Sequence, residues 1–276
     1  MNVNENDLIN NIIFRKFKIL KIIEKGNYSK VFLGNNLINN KFVALKFQEK
    51  KQLPECLEKE AYYLFRLKSI GIPKILSYGH YGKYNVLIEE LLGKSLEQLF
   101  KENQKESKII KLKDMLMTGI QILDRLKFIH SKCILHLDIK PNNFLVGNPD
   151  SSIIYLIDFG FAKKYRSSRT GKHVHFSKNS YFSGNLKYSS TNTMKGIEPS
   201  RRDDLESLGY MLIYLYNHDL PWDTMVAKNK YELAKKIYDL KNIIPIKILC
   251  KNLPIEIQKY MKYIKSLKFE EEPNYN

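Results

Sequence analysis

The sequence predicts an α+β chain in two parts, a small strand-rich N-terminal part and a larger helical C-terminal part. Three observations predict it. Runs rich in β-branched and aromatic residues dominate up to about residue 92, one helical stripe interrupts them, and helical periodicities take over from about residue 93. There are no internal repeats and no low-complexity linkers, so 1–276 reads as a single domain, the smaller part about 14–92 and the larger about 93–276.

Taken in order, the strand candidates are FKILKII (17–23), KVFLG (30–34), KFVALKF (41–47) and NVLIEEL (85–91). A helix interrupts them, beginning just after Pro54, with Leu57, Ala61, Leu64, Phe65 and Leu67 at roughly helical spacing. Further on, Asp114 reads as the N-cap of a helix carrying Met117, Ile120, Leu123, Leu126 and Ile129 on one face. A second long helix over about 203–216 carries Leu205, Leu208, Leu212, Ile213 and Leu215.

Composition bounds what such a chain can be. Its 276 residues, 43% hydrophobic and 12% aromatic, suffice for one large domain or two lobes and exclude a disordered chain. The longest apolar run, GYMLIYLY (209–216), is under half of the ~18 residues a membrane span needs. MNVNENDLINN at the start is polar and carries acids, so no signal peptide is expected. Cys56, Cys133 and Cys250 are an odd number without metal spacing, which predicts free thiols in a reducing compartment, cytoplasmic with nuclear entry left open. The net charge of +17 invites a nucleic-acid reading, because basic side chains release counterions from phosphates. Lys is spread along the whole chain, however, with Asn and Ile equally over-used and no basic stripe or tail. Compositional drift and solubility come first, an acidic or phosphorylated protein partner second, nucleic acid last.

The chemistry is concentrated in two motifs. HLDIKPNNFL (136–145) is followed 13 residues later by DFG (158–160). A lone DFG is a short word that chance supplies often; the pair in this order and separation is not. It is the spacing protein kinases use for phosphoryl transfer, with Asp138 accepting the proton of an attacking hydroxyl and Asn143 and Asp158 holding Mg²⁺ against nucleotide phosphates. Lys140 can neutralise charge on the transferring phosphoryl group, as serine/threonine kinases use it, and His136 is expected to shape the loop backbone. VALK (43–46) puts Lys46 on the third candidate strand as the cation for the α- and β-phosphates; the bland alternative is a surface lysine with its stem along the sheet. Glu60 is its expected partner, ahead of Glu58, and either could be a solvated helix charge. A strand-rich lobe joined to a helical one leaves a cleft, the usual place for a nucleotide.

SSTNTMKGIEPSRRDDLESLGYMLIYL (189–215), which lacks the A-P-E tripeptide of most protein kinases, resembles the casein kinase I family. Ser190, Thr191 and Asn192 stand where that family has S-I-N, and DFGFAKKYR (158–166), YNVLIEELLGKSLEQLF (84–100), LPW (220–222) and ILCKNLP (248–254) are also similar to it. The similarity runs from about residue 17 to the C-terminus. It implies the bilobal protein-kinase fold and an ATP- and Mg²⁺-dependent serine/threonine kinase that prefers acidic or previously phosphorylated protein substrates, working as a monomer. It further implies an ATP site lined by Ile23, Gly26, Val31, Ala44, Lys46, Glu90, Leu92, Leu145 and Ile157. Arg201 matches the family arginine that helps bind a substrate phosphate, although an ion pair with Asp203, Asp204 or Glu206 is the alternative. Asp204 matches the helix aspartate that braces the catalytic loop, and Lys163 and Lys164 extend a basic substrate surface or are simply solvated.

Five features depart from that pattern. Aligned on Val31, the glycine-rich loop reads EKGNYSKV, so only Gly26 survives, with Glu24 at the first position and Ser29 at the third. A carboxylate at Glu24 opposes phosphates if it turns inward and costs little if it faces solvent. Leu137 replaces the arginine that pairs with a phosphorylated activation loop, so the Ser and Thr residues between Asp158 and Gly184 are not expected to act as a switch. Glu89 occupies the position just before Glu90–Leu92 where the family has methionine; there it competes with Glu60 for Lys46. The second substrate-phosphate lysine has Leu233 in its place, and the chain stops at EEEPNYN where the family continues into helix. An active kinase is the leading expectation. A pseudokinase that binds partners through the same fold is the alternative, and a nucleic-acid-binding protein ranks third.

Overall fold

Phe17 and Ile19 on one strand, Phe32 on the next, and Val43, Leu45 and Phe47 on a third turn to the same side, and this period-two alternation builds the first sheet. The computed structural model describes residues 8–26, 29–51, 56–106, 111–167, 169–178 and 185–276. They form two compact units, Met1–Lys94 with Leu145–Gly160, and Ser95–Phe144 with Phe161–Asn276. The fold class is mixed α+β.

In the first unit, β1 (Ile12–Ile13), β2 (Phe17–Lys25), β3 (Lys30–Asn36), β4 (Lys41–Glu49), β5 (Ile75–Tyr81) and β6 (Tyr84–Glu90) pair antiparallel in the order β1-β2-β3-β4-β6-β5. Phe32 meets Phe47 edge-on at 5.1 Å on the core side, and Val86 and Ile88 of β6 join them. The register fixes what leaves by the opposite face. Val31 and Leu87 flank Lys46, while Leu33 and Glu89 flank Ala44. Helix α1 (Cys56–Leu64) buries Leu57, Glu60, Ala61 and Leu64, and Gln48 Oε1 accepts the Leu57 N–H at 2.9 Å, satisfying a donor the first turn leaves unpaired. The expected start at Pro54 lies outside the described residues; Phe65 falls past the end of α1 and is 53% exposed.

Leu145–Gly160 belongs with this first unit, although its place in the chain assigns it to the helical part. Hydrogen bonds explain the attachment. Gly93 N–H donates to Val146 O at 2.8 Å, Val146 N–H to Lys94 O at 3.0 Å and Leu156 N–H to Gly71 O at 2.8 Å.

The second unit contains α2 (Leu96–Lys105), α3 (Leu112–Ser131), α4 (Thr191–Met194), α5 (Arg201–Asn217), α6 (Lys230–Ile243), α7 (Ile246–Leu249) and α8 (Ile255–Ser266). Helix α5 is buried along most of its length, including Leu205, Leu208, Leu212, Ile213 and Leu215, with α3 and α8 packed on it. Two expectations for α3 are corrected. Its N-cap is Lys111, so Asp114 sits inside the first turn, and its buried face is Met115, Gly119, Ile122, Leu126 and Ile129. Met117 and Ile120 are 53% and 62% exposed. Apolar residues on more than one side leave the helix phase open, and Gly119 settles it. A Cβ there would stand 3.2 Å from Leu212 Cδ2, so α3 and α5 approach through the glycine. Among the described residues no helix is long and apolar enough to cross a membrane.

Candidate active site

Lys46 gathers the charges of the first unit. Its Nζ lies 2.6 Å from Glu60 Oε2 and 3.3 Å from Asp158 Oδ1, with Glu60 only 1% exposed. Glu58 is on the solvent side of the same helix. Burial alone would strip the Lys46 proton, but the charges of Asp158 and Glu60 more than offset it and hold the ammonium. The carboxyls lean the other way. Burial pushes Glu60 up to about 7 against the pull of Lys46, and pushes Glu89 up to about 8, the Glu60 charge adding to it. One ammonium, paired with Glu60 and Asp158, cannot also neutralise the nearby Glu89. The short Lys46–Glu60 contact marks the ionised pair, and the proton that burial demands sits on Glu89, whose Oε2 is buried without a hydrogen-bond partner. Glu89 therefore stands beside the Lys46–Glu60 pair without replacing it.

The predicted nucleotide residues distribute as follows. Val31, Ala44 and Lys46 share the sheet face opposite the aromatic core. Ile23 falls at an irregularity of β2 and is 46% exposed, and Glu90, Leu92, Leu145 and Ile157 are half-buried in the same unit. Gly26 N–H donates to Ser29 O at 2.9 Å. Asn27 and Tyr28 of the glycine-rich loop lie outside the described residues, as do Ser168, Ser180, Ser183 and Gly184.

In the second unit the loop after α3 is built around Asp138, which is 4% exposed. Its Oδ2 accepts from Lys140 Nζ at 2.6 Å and from Asn143 Nδ2 at 2.9 Å, and Asn143 Nδ2 also donates to the Asp138 carbonyl at 2.8 Å. Both amide hydrogens of Asn143 are thus used within the loop, and its oxygen is the atom left to a cation. The 3₁₀ turn Pro141–Asn143 starts with a proline, which sets φ for the turn. Asp204 fixes the loop from below. Its Oδ1 accepts the Leu137 N–H and its Oδ2 the His136 N–H, both at 2.8 Å. Leu137 holds φ 67°, a left-handed conformation costing a leucine ~1–2 kcal/mol, and the carboxylate offsets that strain. His136 is fully buried and its Nδ1 accepts from Asp138 N–H at 3.3 Å.

A lysine–glutamate pair on a sheet and a carboxylate held by lysine and asparagine in a loop are groups of phosphoryl-transfer chemistry. The family model described as "Protein kinase domain" matches residues 17–268. The chain belongs to the protein kinase family. Casein kinase I homolog 2 of Schizosaccharomyces pombe (strain 972 / ATCC 24843) is 39% identical to it over 263 residues, 94% of this chain and 60% of that protein. The chain spans about 60% of the length of that curated relative.

Other parts of the kinase sit differently from expectation. Arg201 is not placed to meet a substrate phosphate. It is 3% exposed, Nη2 donates to Glu270 O at 2.7 Å, Nη1 donates to Tyr165 OH at 3.4 Å and lies 3.6 Å from the Glu272 carboxylate. Glu270 and Glu272 lie some 70 residues downstream, in the segment after α8, and Tyr165 lies 36 residues upstream, all beyond the reach of a local reading. We expect Arg201→Ala to lower unfolding stability by about 2–4 kcal/mol in urea, through the unsatisfied buried carbonyl and the lost packing. Activity on phosphorylated and neutral peptides should then fall equally; a selective loss on phosphorylated peptide would restore the anion role. Lys163 is engaged with Glu198 at 2.5 Å. Ser190 Oγ and Asn192 Nδ2 donate to Asp203 Oδ1 at 2.7 and 3.2 Å, and Thr191 Oγ1 donates to Glu206, so the S-T-N segment is hooked onto α5.

Residues the sequence did not single out complete this anchoring. Lys241, 1% exposed, donates to Leu186 O at 3.0 Å and Ser189 O at 2.8 Å and lies 4.7 Å over the Trp222 ring; burial pushes its ammonium down to about 7. Nothing local separates it from the other 45 of the 46 Lys and Arg residues. His130 and Tyr275 are the other two, hydrogen-bonded at 2.7 Å across 145 residues of sequence.

Proposed function

We propose that this chain is a serine/threonine protein kinase that transfers the ATP γ-phosphate to Ser or Thr of acidic or previously phosphorylated protein substrates. The observation that carries the reading is the Asp138 carboxylate, buried yet supplied with the Lys140 ammonium at 2.6 Å. Asp138 takes the proton of the attacking hydroxyl, and Lys140 offsets negative charge as the phosphoryl group moves. Lys46, kept charged by Glu60, orients the α- and β-phosphates. The sheet face around Ala44 and Val31 is the apolar surface a nucleobase needs.

Oxygen donors suit Mg²⁺, and among the described residues no group of three or more His, Cys, Asp or Glu side chains is arranged to hold a metal ion. A Mg²⁺ completed by nucleotide phosphates does not require one, and the Asn143 amide oxygen and the Asp158 carboxylate are each donors of the kind it takes. Bound there, the ion supplies neutralisation of phosphate charge. The +17 charge supports acidic protein partners, met by a monomer in the cytoplasm or nucleus. A glycine-rich loop that keeps only Gly26, with Leu137 and Glu89, favours the second reading, a pseudokinase scaffold, while Glu24 is exposed and costs the loop little.

Labelled ATP with casein and with a pre-phosphorylated serine peptide separates the two. Transfer to both substrates is expected, stronger on the phosphorylated peptide and abolished by a chelator of Mg²⁺. A folded sample that transfers nothing at any Mg²⁺ concentration supports the scaffold.

A further inference from the structure

The segment after α8 has no helix or strand, yet the second unit pins it at several points. Arg202 Nη1 donates to Leu267 O at 2.7 Å, Arg201 Nη2 to Glu270 O at 2.7 Å, and Asn274 N–H to Tyr263 OH at 2.7 Å. The pinning delivers Tyr275 to α3, with its hydroxyl 2.7 Å from His130 Nδ1. The other ring nitrogen, Nε2, lies 2.9 Å from Asp204 Oδ2. The imidazole is 2% exposed, so its two nitrogens have fixed partners.

Chemistry assigns the protons. A carboxylate only accepts, so Nε2 carries the hydrogen toward Asp204. Burial raises the Tyr275 phenol further above its ordinary range, which keeps its proton on and makes it the donor to Nδ1. Asp204 is the group whose two oxygens hold the amides of His136 and Leu137, immediately before Asp138. Tyr165 OH donates to the His130 carbonyl at 2.7 Å, so the backbone of His130 is fixed as well.

We propose that Tyr275 is a positioning residue for the catalytic loop, its hydroxyl fixing the His130 tautomer that keeps Asp204 oriented under Leu137 and Asp138. The proposal rests on the kinase reading for its effect on turnover, not for the relay itself. The hydroxyl acts through three successive contacts and touches neither substrate nor nucleotide.

The test compares Tyr275→Phe, which removes only the hydroxyl, with Asn276→Ala, which removes a different tie of the same segment, Lys127 Nζ to Asn276 Oδ1 at 3.2 Å. In the phenylalanine variant kcat should fall about three- to tenfold, the size of one neutral hydrogen bond expressed as a rate. The KM for ATP should stay put, the melting temperature should fall by only about 2–4 °C for the buried Nδ1 that loses its donor, and Asn276→Ala should leave kcat and KM unchanged. Nitrogen-15 spectra of the histidines in the unsubstituted chain should show His130 protonated at Nε2 and bare at Nδ1. Tyr275→Phe should move that Nδ1 resonance and the Leu137 amide; Asn276→Ala should not. An unchanged kcat, an equal loss in Asn276→Ala, or a reversed or doubly protonated His130 at neutral pH each overturns the proposal. If the unsubstituted chain transfers no phosphate, the kinase reading fails separately, and the His130 and Leu137 resonances still decide the relay.

Discussion

Asp138→Asn is expected to lower phosphate transfer by about 10²–10⁴-fold, the usual worth of a positioned general base, while the chain still folds. The carboxylate accepts from both Lys140 and Asn143 on one oxygen, Oδ2. An asparagine offers one neutral oxygen and one NH₂ group, so whichever way it turns it loses the charge that balances Lys140, and one orientation points N–H groups at the ammonium. The proton of the attacking hydroxyl then has no acceptor. Stability should fall by only about 1–3 kcal/mol, because the loop backbone hangs on Asp204 and not on the Asp138 side chain. The decisive comparison is turnover beside the unfolding midpoint of the same preparation. A folded Asp138→Asn chain that transfers phosphate within a factor of a few of the original would remove Asp138 from the mechanism. An unfolded one would instead make the residue structural.

Asp138, Lys140 and Asn143 were legible in the sequence because they lie within six consecutive residues, and chain geometry alone keeps them together. The strands were legible for a similar local reason. Period two in KFVALKF sends Val43, Leu45 and Phe47 one way and Ala44 and Lys46 the other, whatever the rest of the chain does. Phase was harder. Helix α3 carries apolar residues on two sides, and what decides between them is the close approach of Leu212 to Gly119, 93 positions away. The fate of Arg201 was further out of reach. A surface role and a buried one look identical in SRRDD, and only the placement of Glu270 and Tyr165 around the guanidinium distinguishes them. The same holds for His130, Tyr275 and Lys241. Buried polar groups are matched one to one with partners, and those partners are set by tertiary structure.

Glu89→Gln should stabilise the chain at alkaline pH and leave it nearly unchanged at pH 5. Burial, then the charges of Glu60 and Asp158, outweigh the attraction of Lys46 and raise the Glu89 carboxyl from 4.5 to about 8. The sign follows from where the proton sits. Below pH 4.5 the carboxyl is protonated in both folded and unfolded chains and has no effect on stability. Between 4.5 and about 8 the unfolded chain ionises while the folded one keeps its proton, so stability falls as pH rises, by ~1.4 kcal/mol per unit at most. Above about 8 the penalty is complete and constant. Partial exposure of Glu89 reduces it, to about 2–4 kcal/mol in total. Glutamine keeps the shape and the hydrogen-bonding capacity without titrating, and it also relieves Glu60, whose carboxyl no longer faces a second developing charge. Urea unfolding at pH 5, 7 and 8.5 should therefore give two curves that coincide at the acid end and diverge upward, with the variant ahead. Parallel curves would mean that Glu89 is ionised throughout and that Lys46 is shared among three carboxylates. In that case the lysine would be a weakened phosphate ligand, and the balance would tip toward the scaffold reading.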